Sequence, residues 1–568
     1  MEIFKPGRLE ILLMKVFVLI YNLLCLKQTF SIIKDNRKFH SEARMIFRAE
    51  RVGKAYPDML EQAHWAQISA RRLFSSGDSV LSLLRKKLSH LPETEKNVYM
   101  KNRIRRFKEG INLLIRIDRQ KITPHLASSE TTELDNTIND TINRILDRKI
   151  AAKDLVYDFK PAFCHRIDLL VSKPGENPFF NKLIPDLLSA KSHIHIIMYG
   201  FRDTRGMPDS TAARIAKILC EKAQQGVEVN LLLDGIGSGL FGFRQNENCR
   251  RLILRMIESG IRCVFNNPWN VQDEERLFHL DHRKQYVIDG MIAYVGGMGI
   301  EDQFDNTSAE KNCHDVMIRL EGEIVHQFQC SFLSSFTYQY IKNNKIKRFP
   351  LKLDHDHLKC KYFPKMDRQS GSIQATLLQN IPVVNTHQVT KKYHQLIQDA
   401  IKQIYFMNPY CSEDSFVRTL KRWTKAGAKR KVSAHAALTA DKKESLLLLP
   451  GEILNGFIGL FKRFELPGLI LAGVKIALYQ RGFLHGKVVV QDRKRFMIGS
   501  CNLDAFSMWR NWESAIYIED SSLAEELLGK IFDGKENKDN FEILSSKYNV
   551  TRWQKVVCRV IDWIDRFF

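Results

Sequence analysis

Apolar residues in the middle of the chain fall into short blocks separated by amphipathic stretches. Ile194-His195-Ile196-Ile197-Met198-Tyr199 predicts a strand, and Ala212 to Gln225, with Ile215, Ile218 and Leu219 on one side, predicts a helix that Gly226 ends. Val227 to Leu233 predicts a second strand, followed by a helix over 250–259 and a strand over 261–265 that Asn266-Asn267-Pro268 breaks. The same order returns later: strand 373–378, helix 393–401, strand 404–407, helix 414–425, then strand 432–437. Strand and helix alternating in this way predict α/β layers, and the recurrence predicts a duplication.

Asp234-Gly235-Ile236-Gly237-Ser238-Gly239 has neither a Lys-Ser/Thr ending nor a dinucleotide spacing, so it reads as a flexible loop at a strand end. Residues 446–471, with Leu446 to Leu449, Phe457 to Phe461 and Lys462-Arg463, predict a core helix on the sheet; the alternative is an apolar lip for an acyl chain.

The two ends differ from this middle. Residues 11–26 are the most apolar N-terminal run. Sixteen helical residues reach about 24 Å, short of the roughly 30 Å hydrocarbon core of a bilayer. No small-residue cleavage site follows, so the run reads as an anchor or interfacial helix, with a buried core helix as the alternative. Lys27, Lys34, Arg37 and Lys38 follow it, which on the positive-inside rule places the main body on the cytoplasmic side of the membrane, with export left open. Helices with basic faces are expected up to residue 150, and Ser128 to Glu133 reads as a linker or cap signal. Residues 551–568 carry Trp553, Val556, Val557, Val560 and Ile564 at helical spacing and predict an amphipathic C-terminal helix, docked on the second domain or touching a membrane.

One pattern occurs twice. His282, Lys284 and Asp289, then Gly296-Gly297, repeat as His485, Lys487 and Asp492, then Gly499-Ser500, 203 residues further on with unchanged spacing. Tyr286-Val287-Ile288 and Val488-Val489-Val490 predict strands, so the histidine and lysine of each pair, two residues apart, share a face. The two aspartates fall at the turns and read as structural members of the set. An imidazole can attack phosphorus or protonate a leaving oxygen, and a neighbouring ammonium neutralises phosphate oxygens; no metal or cofactor is called for.

This doubled His-x-Lys-x4-Asp pattern resembles the phospholipase D superfamily. Gly473 to Asp492 with Gly499-Ser500-Cys501-Asn502-Leu503-Asp504 resembles its bacterial cardiolipin synthase branch, the likeness covering roughly residues 155–545. The resemblance implies two similar α/β sandwich domains related by a pseudo-twofold, at 155–350 and 370–545, after a helical N-terminal region at 1–150. It implies a phosphohistidine intermediate, with His282 as nucleophile and His485 as acid, in a monomer with two half-sites. It also implies a carboxylate orienting each histidine, at Asp315 and Glu513, and phosphate contacts at Gly297, Ser500 and Asn502. The first copy departs at Gly299, which stands where the second has Asn502.

A net charge of +23 on 568 residues favours anionic partners, whether a membrane surface, a phospholipid or nucleic acid, without choosing among them. Three readings follow: a phosphodiesterase that hydrolyses or transfers the phosphatidyl group of phospholipids; a nuclease of the same superfamily, with Trp269, Trp509 and Trp512 as stacking candidates; and a non-catalytic binding protein that keeps the fold. Eleven cysteines without a Cys-x-x-Cys pair argue against a disulfide framework and for a reducing compartment. His355, His357 and Cys360 have a metal-like spacing but read as part of a solvated linker.

Overall fold

In a computed structural model of the chain, two mixed sheets carry the two repeats. The structure describes residues 130–544, apart from 148–149, 241–245, 267–278, 306–312, 345–353, 367–372, 430–442, 452–465, 467 and 534–539. The apolar run 11–26, most of the basic N-terminal region, the strand expected at 432–437, the apolar residues 457–461 and the helix expected at 551–568 lie outside the described residues. Among the described residues no helix is long and apolar enough to cross a membrane.

Helix α1 (Glu130–Leu146) leads into β1 (Ala162–Cys164), β2 (Arg166–Ser172), α2 (Pro178–Ser189), β3 (His193–Met198), α3 (Thr211–Gln224), β4 (Glu228–Asp234), α4 (Glu247–Glu258), β5 (Arg262–Asn266), β6 (Lys284–Ile288), β7 (Ile292–Gly296) and β8 (Cys313–Glu321). Helices α5 (Ile324–Asn344) and α6 (His355–Tyr362) connect this half to β9 (Ile373–Ile381), β10 (Thr386–His387), α7 (Gln388–Asp399), β11 (Gln403–Met407), α8 (Asp414–Lys429), β12 (Glu444–Pro450) and β13 (Lys475–Tyr479). The chain ends its described course with β14 (Phe483–Leu484), β15 (Val488–Gln491), β16 (Arg495–Gly499), α9 (Ala505–Trp509), β17 (Glu513–Glu519), α10 (Ser521–Leu528) and β18 (Phe541–Leu544).

The first sheet runs β5-β4-β3-β6-β7-β8, with β2 beyond β8, and the second repeats that order as β13-β12-β11-β15-β16-β17-β9. Two strands change sides: β1 pairs with β9 of the second sheet, and β14 pairs with β8 of the first. Alternate residues along the strands explain the layering. Val287, Val295 and Val316 from the first sheet join Val488, Val490, Ile498 and Ile516 from the second in one core between the sheets. Their neighbours point outward: Tyr286 and Tyr294 pack with α2 and α3, while Val489 and Met497 pack with α7 and α8. With both faces covered, the strands are apolar nearly throughout, which is why they read as continuous blocks.

Three expectations need correction. Leu446 to Leu449 belong to β12, parallel between β11 and β13, so this leucine run is a sheet strand, while Leu469 and Ile470 at the far end of 446–471 are helical and buried in the core as expected. The glycine-rich segment after β4 is a buried turn: Asp234 accepts from the backbone N–H groups of Ile236, Gly237 and Asp281. The connection holding His355, His357 and Cys360 is helix α6, anchored by buried Leu358 and Tyr362. There His357 Nδ1 pairs with Asp354 at 2.8 Å and His355 Nδ1 with Asp356 at 3.4 Å, so the three do not converge.

Candidate active site

Each histidine motif is fastened by backbone to the other repeat. His282 N donates to Trp512 O (2.9 Å) and Trp512 N to Leu280 O (2.8 Å). On the other side His485 N donates to His314 O (2.8 Å), where β14 lies along β8. The residues holding these amides immediately precede Glu513 and Asp315, so each carboxylate is delivered to the histidine of the opposite half. His282 Nδ1 lies 3.1 Å from Glu513 Oε1 and 3.1 Å from Ser500 O; His485 Nδ1 lies 2.6 Å from Asp315 Oδ2. A carbonyl oxygen can only accept, so Nδ1 of His282 carries the proton and Nε2 keeps its lone pair. The two imidazoles are nearly enclosed, with 11 and 12% of their side-chain surfaces exposed.

The lysines are held the same way, Lys284 Nζ to His282 O at 2.6 Å and Lys487 Nζ to His485 O at 2.5 Å. Burial and the charge of Lys487 bring Lys284 down to about 7, and burial brings Lys487 down to about 8. Burial first, then Lys284 and Lys487, hold His282 well below its ordinary value; burial and Lys487 hold His485 at about 3. Charges from one half thus act on groups of the other, the electrostatic mark of a shared site.

The two carboxyls differ. Burial raises Glu513 to about 8, so at neutral pH it is protonated. Burial would raise Asp315 too, but its pairing with His485, the charge of Lys487 and the Val316 N–H outweigh it and the group stays below its ordinary range. Cys313, Asp315 and His485 form the only grouping among the described residues whose ligand atoms could share a metal ion, and the two ammonium groups beside it disfavour a cation.

Not every candidate sits at the reacting centre. Asp289 is in the left-handed region (φ 53°), at the β6–β7 turn, and accepts from the backbone N–H groups of Lys191, Ser192 and His193. Asp492 (φ 50°) does the same for Ile401, Lys402 and Gln403. Both tie a hairpin to the start of a parallel strand, so they leave the reacting set. Gly297 makes room: a Cβ there would lie 2.2 Å from Asp315 Oδ1. Ser500 donates its hydroxyl to Glu513, so neither residue points a group at a substrate. Asn502 is buried, and its Oδ1 has no hydrogen-bond partner among the described residues. Trp512 is buried beneath Arg283, 4.9 Å from its ring, and cannot stack a base; Trp509 donates to Glu413; Trp269 lies outside the described residues.

Residues without a motif complete the site. The Tyr199 ring meets His282 edge-on at 4.7 Å and sits 4.9 Å from Lys284 Nζ, and Phe304 and Phe483 flank His485 at 5.2 and 5.3 Å. Buried Asp281 and Arg283 form an ion pair below His282, which Asn266 extends. Only the position of Tyr199 at a strand end hinted at such a role.

A family profile described as cardiolipin synthase, phospholipase D-like domain, matches residues 183–335 and 393–533, just over half of the chain. Cardiolipin synthase 1 of Staphylococcus epidermidis is 27% identical over 364 residues, 64% of this chain and 66% of that protein. The probable cardiolipin synthase YwiE of Bacillus subtilis is 26% identical over 439 residues, 76% of each chain. The chain thus matches slightly less than two thirds of the Staphylococcus epidermidis protein's length. Among solved structures, the match to phosphatidylserine synthase of Haemophilus influenzae Rd KW20 covers 77% of this chain and 98% of that one at 12% identity, with a TM-score of 0.47. With both matched segments enclosing one histidine-lysine pair each, the chain belongs to the phospholipase D-like family of cardiolipin synthases.

Proposed function

We propose that the protein is a phosphodiesterase that hydrolyses or transfers the phosphatidyl group of phospholipids through a phosphohistidine. The observation that carries this reading is the pair of imidazoles, each held at Nδ1 by the other half's carboxylate, with Nε2 left for phosphorus. The unequal carboxyls support the assignment of roles. Protonated Glu513 leaves His282 a neutral nucleophile, whereas ionised Asp315 favours a proton on His485, the acid for the leaving alcohol. His485, held neutral by burial and then by Lys487, gains that proton when the bound diester's negative charge opposes both. Attack by His282 Nε2 forms the P–N bond as the P–O bond breaks and His485 gives its proton to the departing oxygen. Water or an alcohol, deprotonated by His485, then releases the phosphatidyl group.

The relatives' names support a phospholipid substrate, and the basic charge supports work at an anionic surface. The test is incubation with vesicles of phosphatidylglycerol or phosphatidylcholine, or with single-stranded DNA, followed by mass analysis of peptides. Phosphatidate release with a phosphatidyl adduct on the His282 peptide is expected. DNA cleavage without phosphatidate would replace this reading with a nuclease, and an adduct on His485 would reverse the roles.

A further inference from the structure

The two histidines are fastened to the opposite half by unequal means. His485 follows directly on β14, whose Phe483 and Leu484 pair with Cys313 and His314 of β8, and the N–H groups of His485 and Gly486 both reach His314 O, at 2.8 and 3.2 Å. His282 is joined through a single bridge, Asp281 against Trp512, which belongs to no ladder among the described residues. So short a pairing holds weakly by itself. Yet it sets where Glu513, the residue after Trp512, stands relative to His282.

The neighbours of the two histidines differ in the same sense. At the offset of 203 residues, Asp281 and Arg283 correspond to Leu484 and Gly486. A Cβ on Gly486 would lie 2.7 Å from Met407 Sδ, so a thioether occupies that place in the second half. In the first half a fully buried guanidinium occupies it. Arg283 Nε and Nη2 donate to the two oxygens of Asp281 at 2.8 and 2.7 Å, Nη1 donates to Ser335 of α5 at 3.1 Å, and the guanidinium lies over the Trp512 ring, 4.9 Å from its centre. Asp281 is held in turn, its N–H by Asp234 Oδ2 at 2.9 Å and its Oδ2 by Asn266 at 3.3 Å. Burying two charges is costly, and apolar side chains of similar volume often stabilise a core as well as an ion pair does. Leu484 and Gly486 serve the equivalent strand without one. The fold alone thus gives the pair no reason, but the bridge does: the guanidinium grips both of its ends, Asp281 by hydrogen bonds and Trp512 by its ring.

We propose that Arg283 is a positioning residue for the nucleophile: paired with Asp281 and laid over Trp512, it locks the lone bridge and keeps Glu513 and the Ser500 carbonyl on His282 Nδ1. The kinetic consequence rests on the phosphohistidine reading above. Arg283 matters most in the first step, when His282 Nε2 bonds phosphorus as the P–O bond breaks and the leaving oxygen takes its proton from His485. Once the P–N bond exists it holds the imidazole itself, and release depends on water and His485.

The test uses the full chain with phosphatidylglycerol vesicles and rapid quenching, following the adduct on the His282 peptide as it forms and decays. Asp281→Leu/Arg283→Met, which exchanges the pair for apolar groups of similar size, should fold by thermal melt and form the adduct about a hundredfold more slowly at unchanged KM, with decay near the wild-type rate. Arg283→Lys, which keeps the charge without the fork, should fall between the two and decides the matter if the double variant does not fold. Wild-type adduct formation in these variants, or equal slowing of formation and decay, would overturn the assignment. A second readout needs no turnover: nitrogen NMR of histidine-labelled protein, with His282 identified by its loss in His282→Gln. Wild type should show the Nδ1–H form alone and the variants a mixture; the same single form in all of them would also overturn the assignment. Wild-type protein that forms no adduct would overturn the phosphohistidine reading, while the NMR result still decides the role of Arg283.

Discussion

Glu513 Oε1 lies 3.1 Å from His282 Nδ1 although 231 residues separate the two in the chain. Asp315 and His485 mirror the relationship across 170 residues. Neither half therefore contains a finished histidine. Replacing Asp315 by Asn should lower kcat by about 10⁴, the loss expected when an ionised orienting carboxylate is removed, whereas Glu513→Gln, which mimics the protonated acid, should cost much less; neither should change the melting temperature greatly. The double variant should be hardly worse than the more damaged single one, since both act on one covalent cycle. Additive losses in kcat would argue for two independent sites.

The lysines give a pH signature. Their folded values, about 7 and 8, lie below the ordinary 10.5, so between those limits the unfolded chain binds more protons than the folded one. These two groups thus cost stability at low pH, and that cost is relieved as pH rises from about 7 towards 10.5. Lys284→Met should melt higher than wild type at pH 7 and flatten that rise, while abolishing turnover. An anionic ligand should restore the charge on both. Calorimetry of inorganic phosphate binding near pH 8, in buffers of different ionisation enthalpy, should report proton uptake; none would contradict the lowered values.

The turn aspartates should behave as structural parts. Asp289→Ala leaves three backbone N–H groups without their acceptor and should cost about 2–4 kcal/mol in urea unfolding. Activity per folded molecule should persist. A fully folded, inactive Asp289→Ala would return this residue to the reacting set.

Buried histidines set the acid limit. Burial lowers His314, His387 and His485 to about 3 and His326 to about 4. The unfolded chain takes up their protons from about pH 6.5 downward, so stability falls as pH drops from there, by up to about 1.4 kcal/mol per pH unit for each histidine. Among the described residues both ring nitrogens of His314 lack a hydrogen-bond partner, and the ring packs edge-on against Tyr479 at 5.0 Å. His314→Phe should raise the melting temperature at pH 5 more than at pH 8; equal shifts would refute the explanation.

The doubled motif was legible because a local strand carries histidine and lysine on one face, and spacing alone reports that. The strands and helices around it were legible because both faces of each sheet are covered, leaving apolar blocks. The leucine run of β12 was misread because such a block looks the same in a buried strand and a buried helix. Which carboxylate serves which histidine was not legible. That pairing depends on β14 crossing to β8 and on Asp281 meeting Trp512, contacts between segments some 200 residues apart. Trp512 read as a stacking candidate for a related reason: the buried Arg283 beneath which it lies belongs to the other half.

The crossed carboxylates are the arrangement that two identical chains would make in a symmetric dimer, where every substitution appears on both sides of the phosphorus at once. Joining the copies into one polypeptide removes that constraint. Each wing of the cleft can then differ by itself, and Gly299 stands where the other wing carries Asn502.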